Sequence, residues 1–221
     1  MKEVYFSANT IREKSIEMLA RIKPLRSRHE TPFDPSRAAL LALDLQDYFL
    51  EPSSHAFVPS APATLPGIRR LVRAFNDRDR PVIYTRHINN ETDAGSMATW
   101  WGELITRDNP ASELTAGIAP SAGVVVDKTQ YDAFYDTGLE GQLNRAGAEQ
   151  VVICGVMTHL CCETTARSAF VRGFDVFFTI DGTATYNEEF HAATLLNLSH
   201  GAAVPVLVDE MAAAFGGRHD G

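Results

Sequence analysis

A thiol, a carboxylate and an ammonium stand at comparable places along this 221-residue chain, each at or just after a short apolar run. Cys161 lies in Val151–Arg172, VVICGVMTHLCCETTARSAFVR, which reads as a buried strand, a glycine-containing turn and an amphipathic helix. In the first turn of a helix, unpaired amide N–H groups and the positive end of the dipole stabilise an anion. A thiol there has a lowered pKa, so the spacing predicts a Cys161 that is largely thiolate at neutral pH. The same N–H groups would hold the oxyanion formed when that thiolate attacks a carbonyl. The plainer alternative is that Cys161 is a small buried hydrophobe, as free cysteines often are. Asp44 ends the run ALLALD. Beside apolar pocket walls its pKa would rise, and it would shuttle protons. Asp47, three residues on, reads as a cap or turn residue. Lys128 follows VVVD, where an ammonium would hold a carboxylate and a thiolate in their charged forms. Taken singly, Asp44 and Lys128 are equally ordinary surface charges.

Other chemistry is poorly supported. Cys162 sits roughly 100° around the helix from Cys161, so only one of the two thiols faces a site. His159-x-Cys161-Cys162 lacks the ligand spacing and the fourth ligand of a structural zinc site. The three cysteines, Cys154, Cys161 and Cys162, make a poor disulfide framework and indicate a reducing compartment. The start, MKEVYFSANTIREK, has no apolar run flanked by basic residues, and no apolar run approaches a membrane span. A net charge of −8 argues against a nucleic-acid partner. A cytoplasmic protein is expected.

These residues need a scaffold that brings distant strand ends together. Six runs are nearly all apolar, as strands buried on both faces should be: Ala38–Asp44, Pro81–Thr85, Val124–Asp127, Gln150–Cys154, Val176–Ile180 and Ala203–Val208. Helix-length segments lie between them at Thr64–Asn76, Gly138–Ala146, Leu160–Arg172 and Glu188–Ser199. This alternation predicts an α/β fold, a parallel sheet covered by helices on both sides, with ligands at the carboxyl ends of the strands. His87–Gly123 carries two tryptophans and no strong period, and reads as a lid and specificity segment. Residues 1–30 read as an N-terminal helical arm, with a Thr10-x-x-Glu13 capping box and apolar positions at Ile11, Met18, Leu19 and Ile22. Pro24 and the basic run Arg26–His29 should break that helix. Residues 31–221 then form one domain.

With these segments quoted, the chain resembles the isochorismatase-like hydrolases, the cysteine hydrolase superfamily, which includes nicotinamidases, carbamoyl amidohydrolases and isochorismatases. Three motifs match in chain order. ALLALDLQDYF is similar to the segment ending in the catalytic aspartate, here Asp44. VVVDKTQYDAF is similar to the lysine segment, here Lys128. GVMTHLCCETTARSAFVRGF is similar to the nucleophile segment, here Cys161. The resemblance covers roughly residues 35–211. It implies a three-layer αβα, Rossmann-like fold with a six-stranded parallel sheet in the order 3-2-1-4-5-6. It also implies a cis peptide bond between Val156 and Met157, an oxyanion hole from the Met157 and Cys161 N–H groups, and a homo-oligomer, dimer or tetramer.

Which branch of the family the chain resembles is less legible. Nicotinamidases of the family bind a metal through an Asp-x-His pair after the first strand. Here that region reads LEPSSHAF, leaving only His55 and His87, so the expectation is no metal and no cofactor. RAALLALDLQDYF and WGELITR resemble the isochorismatase branch. That branch, however, commonly has glycine at the position of Cys161, and it places an arginine in the lid where none lies between His87 and Arg107. Cleavage of an amide, carbamoyl or ureido C–N bond is therefore the expected reaction. Vinyl-ether hydrolysis with Asp44 as acid is the first alternative, and a non-catalytic small-molecule binder the second. Phe49, His87, Trp101, Tyr131 and His159 are the candidate substrate contacts, suiting a planar or small apolar acyl group. No G-x-G-x-x-G or G-x-S-x-G follows any expected strand.

Overall fold

Strands form where β-branched and aliphatic residues run without interruption, and the computed structural model, which describes residues 1–26, 31–118 and 124–216, shows the alternation in full. In chain order the elements are α1 (Ile11–Arg26), β1 (Ala38–Leu43), α2 (Asp47–Leu50), α3 (Ala61–Asn76), β2 (Val82–His87), α4 (Met97–Trp100), β3 (Val124–Lys128), α5 (Leu139–Arg145), β4 (Gln150–Val156), α6 (Glu163–Val171), β5 (Asp175–Ala184), α7 (Glu188–Gly201), β6 (Val204–Val206) and α8 (Val208–Ala214). A five-residue π-helical turn, Thr158–Cys162, precedes α6.

All strand pairings are parallel, and the six-stranded sheet has the order β3-β2-β1-β4-β5-β6. This is the expected 3-2-1-4-5-6 arrangement, a three-layer αβα fold. The chain runs outward from β1 to β3, then returns to lay β4 on the other side of β1. The connections therefore diverge at the carboxyl ends of β1 and β4, the place where open α/β sheets form their crevices.

Because successive side chains of a strand point to opposite faces, β1 feeds two cores. Leu40 and Ala42 join Ile68, Leu71 and Phe75 of α3 and Val208 and Met211 of α8. Ala39, Leu41 and Leu43 join Leu139 and Leu143 of α5, Ala166 and Ala169 of α6, and Leu195 and Leu198 of α7. Met18 and Ile22 of α1, with Tyr5 and Phe6 ahead of it, are buried in this second core.

Several boundaries differ from the expectations. β5 runs four residues further, through Asp181 to Ala184, and β6 stops at Val206 because Val208 begins α8. β3 is the edge strand, so Val124 and Val125 are exposed where full burial was expected. α1 continues through Pro24 to Arg26. So close to a helix end, the missing N–H of proline costs one intrahelical bond, and burial of Met18 and Ile22 holds the turn. Thr10 Oγ1 accepts from the Ser7 N–H at 3.1 Å, on the N-terminal side of the expected capping box. The rest of the basic run after Arg26, and the arm boundary at residue 30, lie outside the described residues, as does the end of the lid segment at 119–123.

Gly155, next to the last residue of β4, has φ +123° and packs against β1 so closely that a Cβ would lie 2.0 Å from the Leu43 carbonyl oxygen. Replacing Gly155 with Ala should therefore destabilise the protein by about 3 kcal/mol, from overpacking and strained φ together. Urea unfolding measures this. A loss under about 0.5 kcal/mol would show that β1 and β4 are not held this close.

Candidate active site

The site is assembled from four strand ends at that crevice. Asp44 immediately follows β1, His87 and Lys128 are the last residues of β2 and β3, and Cys161 lies in the π-turn after β4. Asp44 leaves the strand with φ +52°, a left-handed conformation that ends the sheet ladder. Its backbone N–H is held by Thr85 of the neighbouring strand, at 3.2 Å to the carbonyl and 3.1 Å to the hydroxyl oxygen. The same hydroxyl donates to Asp44 Oδ1 at 2.6 Å. Gln46 continues the clasp, accepting from the His87 N–H at 2.8 Å and donating to the His87 and Ser112 carbonyls at 3.1 and 2.7 Å.

Lys128 is the centre of the arrangement. Its ammonium is fully buried and lies 2.8 Å from Asp44 Oδ2, itself fully buried. It donates to the Gln130 carbonyl at 2.9 Å and stands 3.4 Å from both Cys161 Sγ and His87 Nδ1. Beyond the ion pair, Asp44 Oδ2 has no hydrogen bond among the described residues, and the Cys161 thiol faces that carboxylate. His87 Nε2 lies 2.5 Å from Asn89 Oδ1. An acceptor at Nε2 and an ammonium at Nδ1 fix one arrangement: a neutral imidazole protonated at Nε2. Burial, with Lys128 adding to it, lowers the His87 pKa to about 4.

Burial raises the Asp44 pKa, but Lys128 together with His87 and Cys161 outweighs this and holds the carboxyl below its usual range. Burial likewise works against the Lys128 charge, and Asp44 and Cys161 together outweigh it. For Cys161, burial and the Asp44 carboxylate push the thiol up to about 12 against the pull of Lys128. Two expectations are corrected here. Asp44 is held ionised rather than raised, and Cys161 rests as a thiol rather than a thiolate. The ammonium's charge acts more on the carboxylate than on the sulfur.

A cavity of about 200 Å³ opens above Cys161. Among the expected contacts, Phe49, His87, Trp101 and Tyr131 line it, together with Met157 and Cys161. The Trp101 indole N–H donates to the Tyr131 hydroxyl at 2.6 Å, tying the lid to the segment after β3. His159 does not line the cavity. Two residues from Cys161 in a helical turn, it points elsewhere, stacking on Phe190 with ring centroids 4.4 Å apart and bonding Thr185 Oγ1 at 2.6 Å. Cys162, fully buried, faces the second core. The sequence reading missed Tyr48, His55, Glu103, Leu104, Ile105 and Tyr186 in the lining. Tyr48 and Phe49 are adjacent within ALDLQDYF, a signal that could have found the first of these. The peptide bond Val156–Met157 is cis.

A metal does not fit this centre. Asp44, His87 and Cys161 bring ligand atoms within 4.8 Å of one another. Lys128 already contacts all three, so a cation occupies the place a divalent ion would take. His55 is engaged by Glu103 at 3.1 Å and by the Tyr48 hydroxyl at 3.3 Å.

If Asp44 is what keeps the proton on sulfur, Asp44→Asn should lower the thiol pKa and leave Lys128 facing the sulfur alone. Alkylation of Cys161 by iodoacetamide at neutral pH should then accelerate about tenfold for each pKa unit regained. Peptide mass mapping of the alkylated protein measures it; an unchanged or slower rate would contradict the charge assignment.

Comparison with known proteins identifies the family. A family model described as the isochorismatase domain matches residues 38–210. Nicotinamidase 3 of Arabidopsis thaliana is 38% identical over 179 residues, 79% of this chain and 86% of that protein. Enterobactin synthase component B of Escherichia coli K12 is 30% identical over 182 residues, 81% of this chain but 64% of that protein. A cysteine hydrolase from Pseudomonas syringae pv. phaseolicola 1448A superposes with a TM-score of 0.80 at 26% identity, covering 85% of this chain and 96% of that one. N-carbamoylsarcosine amidase from Thermoplasma acidophilum gives 0.71 at 25% identity, covering 78% and 97%. With its sheet order, its crevice and the family match over most of its length, the chain belongs to the isochorismatase family of hydrolases.

Proposed function

We propose that this protein hydrolyses an amide, carbamoyl or ureido C–N bond of a small molecule through a thioester on Cys161. The observation that carries this reading is the contact of a cavity-lining thiol with a carboxylate and an ammonium buried beneath it, with Lys128 Nζ 2.8 Å from Asp44 and 3.4 Å from Cys161. As substrate enters, the Asp44 carboxylate takes the thiol proton and the sulfur attacks the carbonyl carbon. The oxyanion is received by the Met157 and Cys161 backbone N–H groups. Asp44, now a carboxylic acid, gives its proton to the departing nitrogen as the C–N bond breaks. Asp44 then deprotonates a water that attacks the thioester; the acid leaves and the thiol is restored. Lys128 keeps its charge throughout and is worth most when the sulfur is anionic. No step draws on a cofactor.

The names of two relatives, a nicotinamidase and an N-carbamoylsarcosine amidase, support C–N cleavage. Phe49, Trp101 and Tyr131 suit a planar acyl group. Vinyl-ether hydrolysis of isochorismate is the second reading, favoured by the isochorismatase of Bacillus subtilis, 28% identical to this chain. It needs Asp44 as an acid at rest, whereas Lys128 holds that group ionised. It also needs cations for carboxylates, and no described lining residue is lysine or arginine. We place the protein in the cytoplasm, as a homo-oligomer with an N-terminal helical arm. Its three free cysteines support the compartment, and no described helix is long and apolar enough to cross a membrane.

Cys161→Ala, Asp44→Asn and Lys128→Met should each lower kcat on a turned-over amide by about 10³-fold or more. Intact-mass analysis should show an acyl adduct on the native protein that is absent from Cys161→Ala. Isochorismate turnover surviving in Cys161→Ala would instead show that Asp44 works alone.

A further inference from the structure

The cavity has two chemically different ends. Cys161 on the floor is 6% exposed, whereas the side chains of His55 and Glu103 are 58% and 51% exposed and mark the mouth. Between them the walls are largely aromatic and aliphatic. Glu103 is the only carboxylate among the described lining residues. Lys2, whose ammonium donates to the His55 carbonyl and sits 4.5 Å over the Tyr186 ring, is outside that lining.

Glu103 takes part in a short chain of polar contacts at the mouth. The Tyr48 hydroxyl lies 3.3 Å from His55 Nε2, and His55 Nδ1 lies 3.1 Å from Glu103 Oε2. Burial, with the Glu103 charge adding to it, raises the Tyr48 phenol pKa, so the hydroxyl keeps its proton. The carboxylate can only accept, so His55 donates to it from Nδ1, and in that neutral tautomer Nε2 accepts from the Tyr48 hydroxyl. A carboxylate offers about four lone-pair sites, and this relay uses one, so acceptor capacity remains for a ligand.

The rest is set by size. An apolar cavity of about 150 Å³ takes one benzene ring; a space of about 200 Å³ takes a ring and a small substituent. A ring with its amide at Cys161 would present its far edge toward the mouth.

We propose that Glu103, positioned by His55 and Tyr48, determines specificity by accepting from a hydrogen-bond donor or positive charge on the far edge of the substrate. Amides with a carboxylate there are turned away. The identity of the reacting end rests on the C–N hydrolase reading, but the selectivity of the mouth does not depend on turnover. A charge-assisted hydrogen bond on one side and like-charge repulsion on the other act in the same direction.

The probes are 3-(aminomethyl)benzamide and 3-carboxybenzamide, titrated calorimetrically into Cys161→Ala protein with Glu103 intact, or additionally carrying Glu103→Gln or Glu103→Lys. With Glu103 intact, the aminomethyl probe should bind at least about tenfold more tightly. Glu103→Gln should bring the two within about threefold, and Glu103→Lys should reverse the preference. Thermal unfolding of each variant checks that the exposed loop change leaves the fold intact. A preference that is absent with Glu103 present, or unchanged in both variants, overturns the proposal. Hydrolysis of the same probes by protein retaining Cys161 is scored separately. Its absence counts against these amides as substrates, while the binding ratios still decide the role of Glu103.

Discussion

The fold depends on burying one ion pair and leaving it able to act. Two unit charges removed from water cost several kcal/mol each, and their attraction recovers this only when geometry and hydrogen bonding are good. Lys128 and Asp44 lie 2.8 Å apart, fully buried. The ammonium also stands within hydrogen-bond distance of the Gln130 carbonyl, His87 Nδ1 and Cys161 Sγ, which share its three hydrogens with Asp44. Asp44 Oδ1 is satisfied by Thr85. Every one of these partners is supplied by a strand end or the segment just beyond it. The order β3-β2-β1-β4 makes the centre possible, because it brings the ends of four consecutive sheet positions to one edge of the sheet.

Much of this was legible in the sequence. Continuous apolar runs located all six strands, because a strand buried on both faces tolerates few polar residues. Asp44, Lys128 and Cys161 were visible because polar residues at the ends of such runs stand out. The supporting cast was not. Thr85, Gln46 and Asn89 hold Asp44 and His87 through hydroxyl and amide bonds that have no pattern in sequence. Their partners are 40 or so residues away, the carbonyl of Thr129 for Asn89 among them.

The misread features share a cause, which is that tertiary surroundings overrode a local rule. The start of a helix lowers a thiol pKa when the thiol is solvated. At Cys161, burial and a carboxylate outweigh it. Proximity in sequence suggested His159 as a contact, but in the π-turn it faces Thr185 and Phe190. Here the N-terminal residues also take part. Tyr5 reaches the same region, accepting from the Thr185 N–H and bonding His191 at 2.9 Å each, while Thr158 of the turn lies 3.2 Å from the same His191 nitrogen. A segment that reads as an appendage is thus in contact with the turn that carries the nucleophile.

The neutral His87 has a consequence for how the resting site meets changes in its surroundings. Its pKa lies near 4 and that of the Cys161 thiol near 12, while the carboxylate is held below its ordinary range and the ammonium above its own. Near neutral pH the group beneath the cavity therefore keeps its protons, and its formal charges sum to zero. The unliganded centre responds little to small changes of pH around neutrality. Only the arrival of a substrate, by displacing water and offering an atom for the sulfur to attack, sets its one mobile proton in motion.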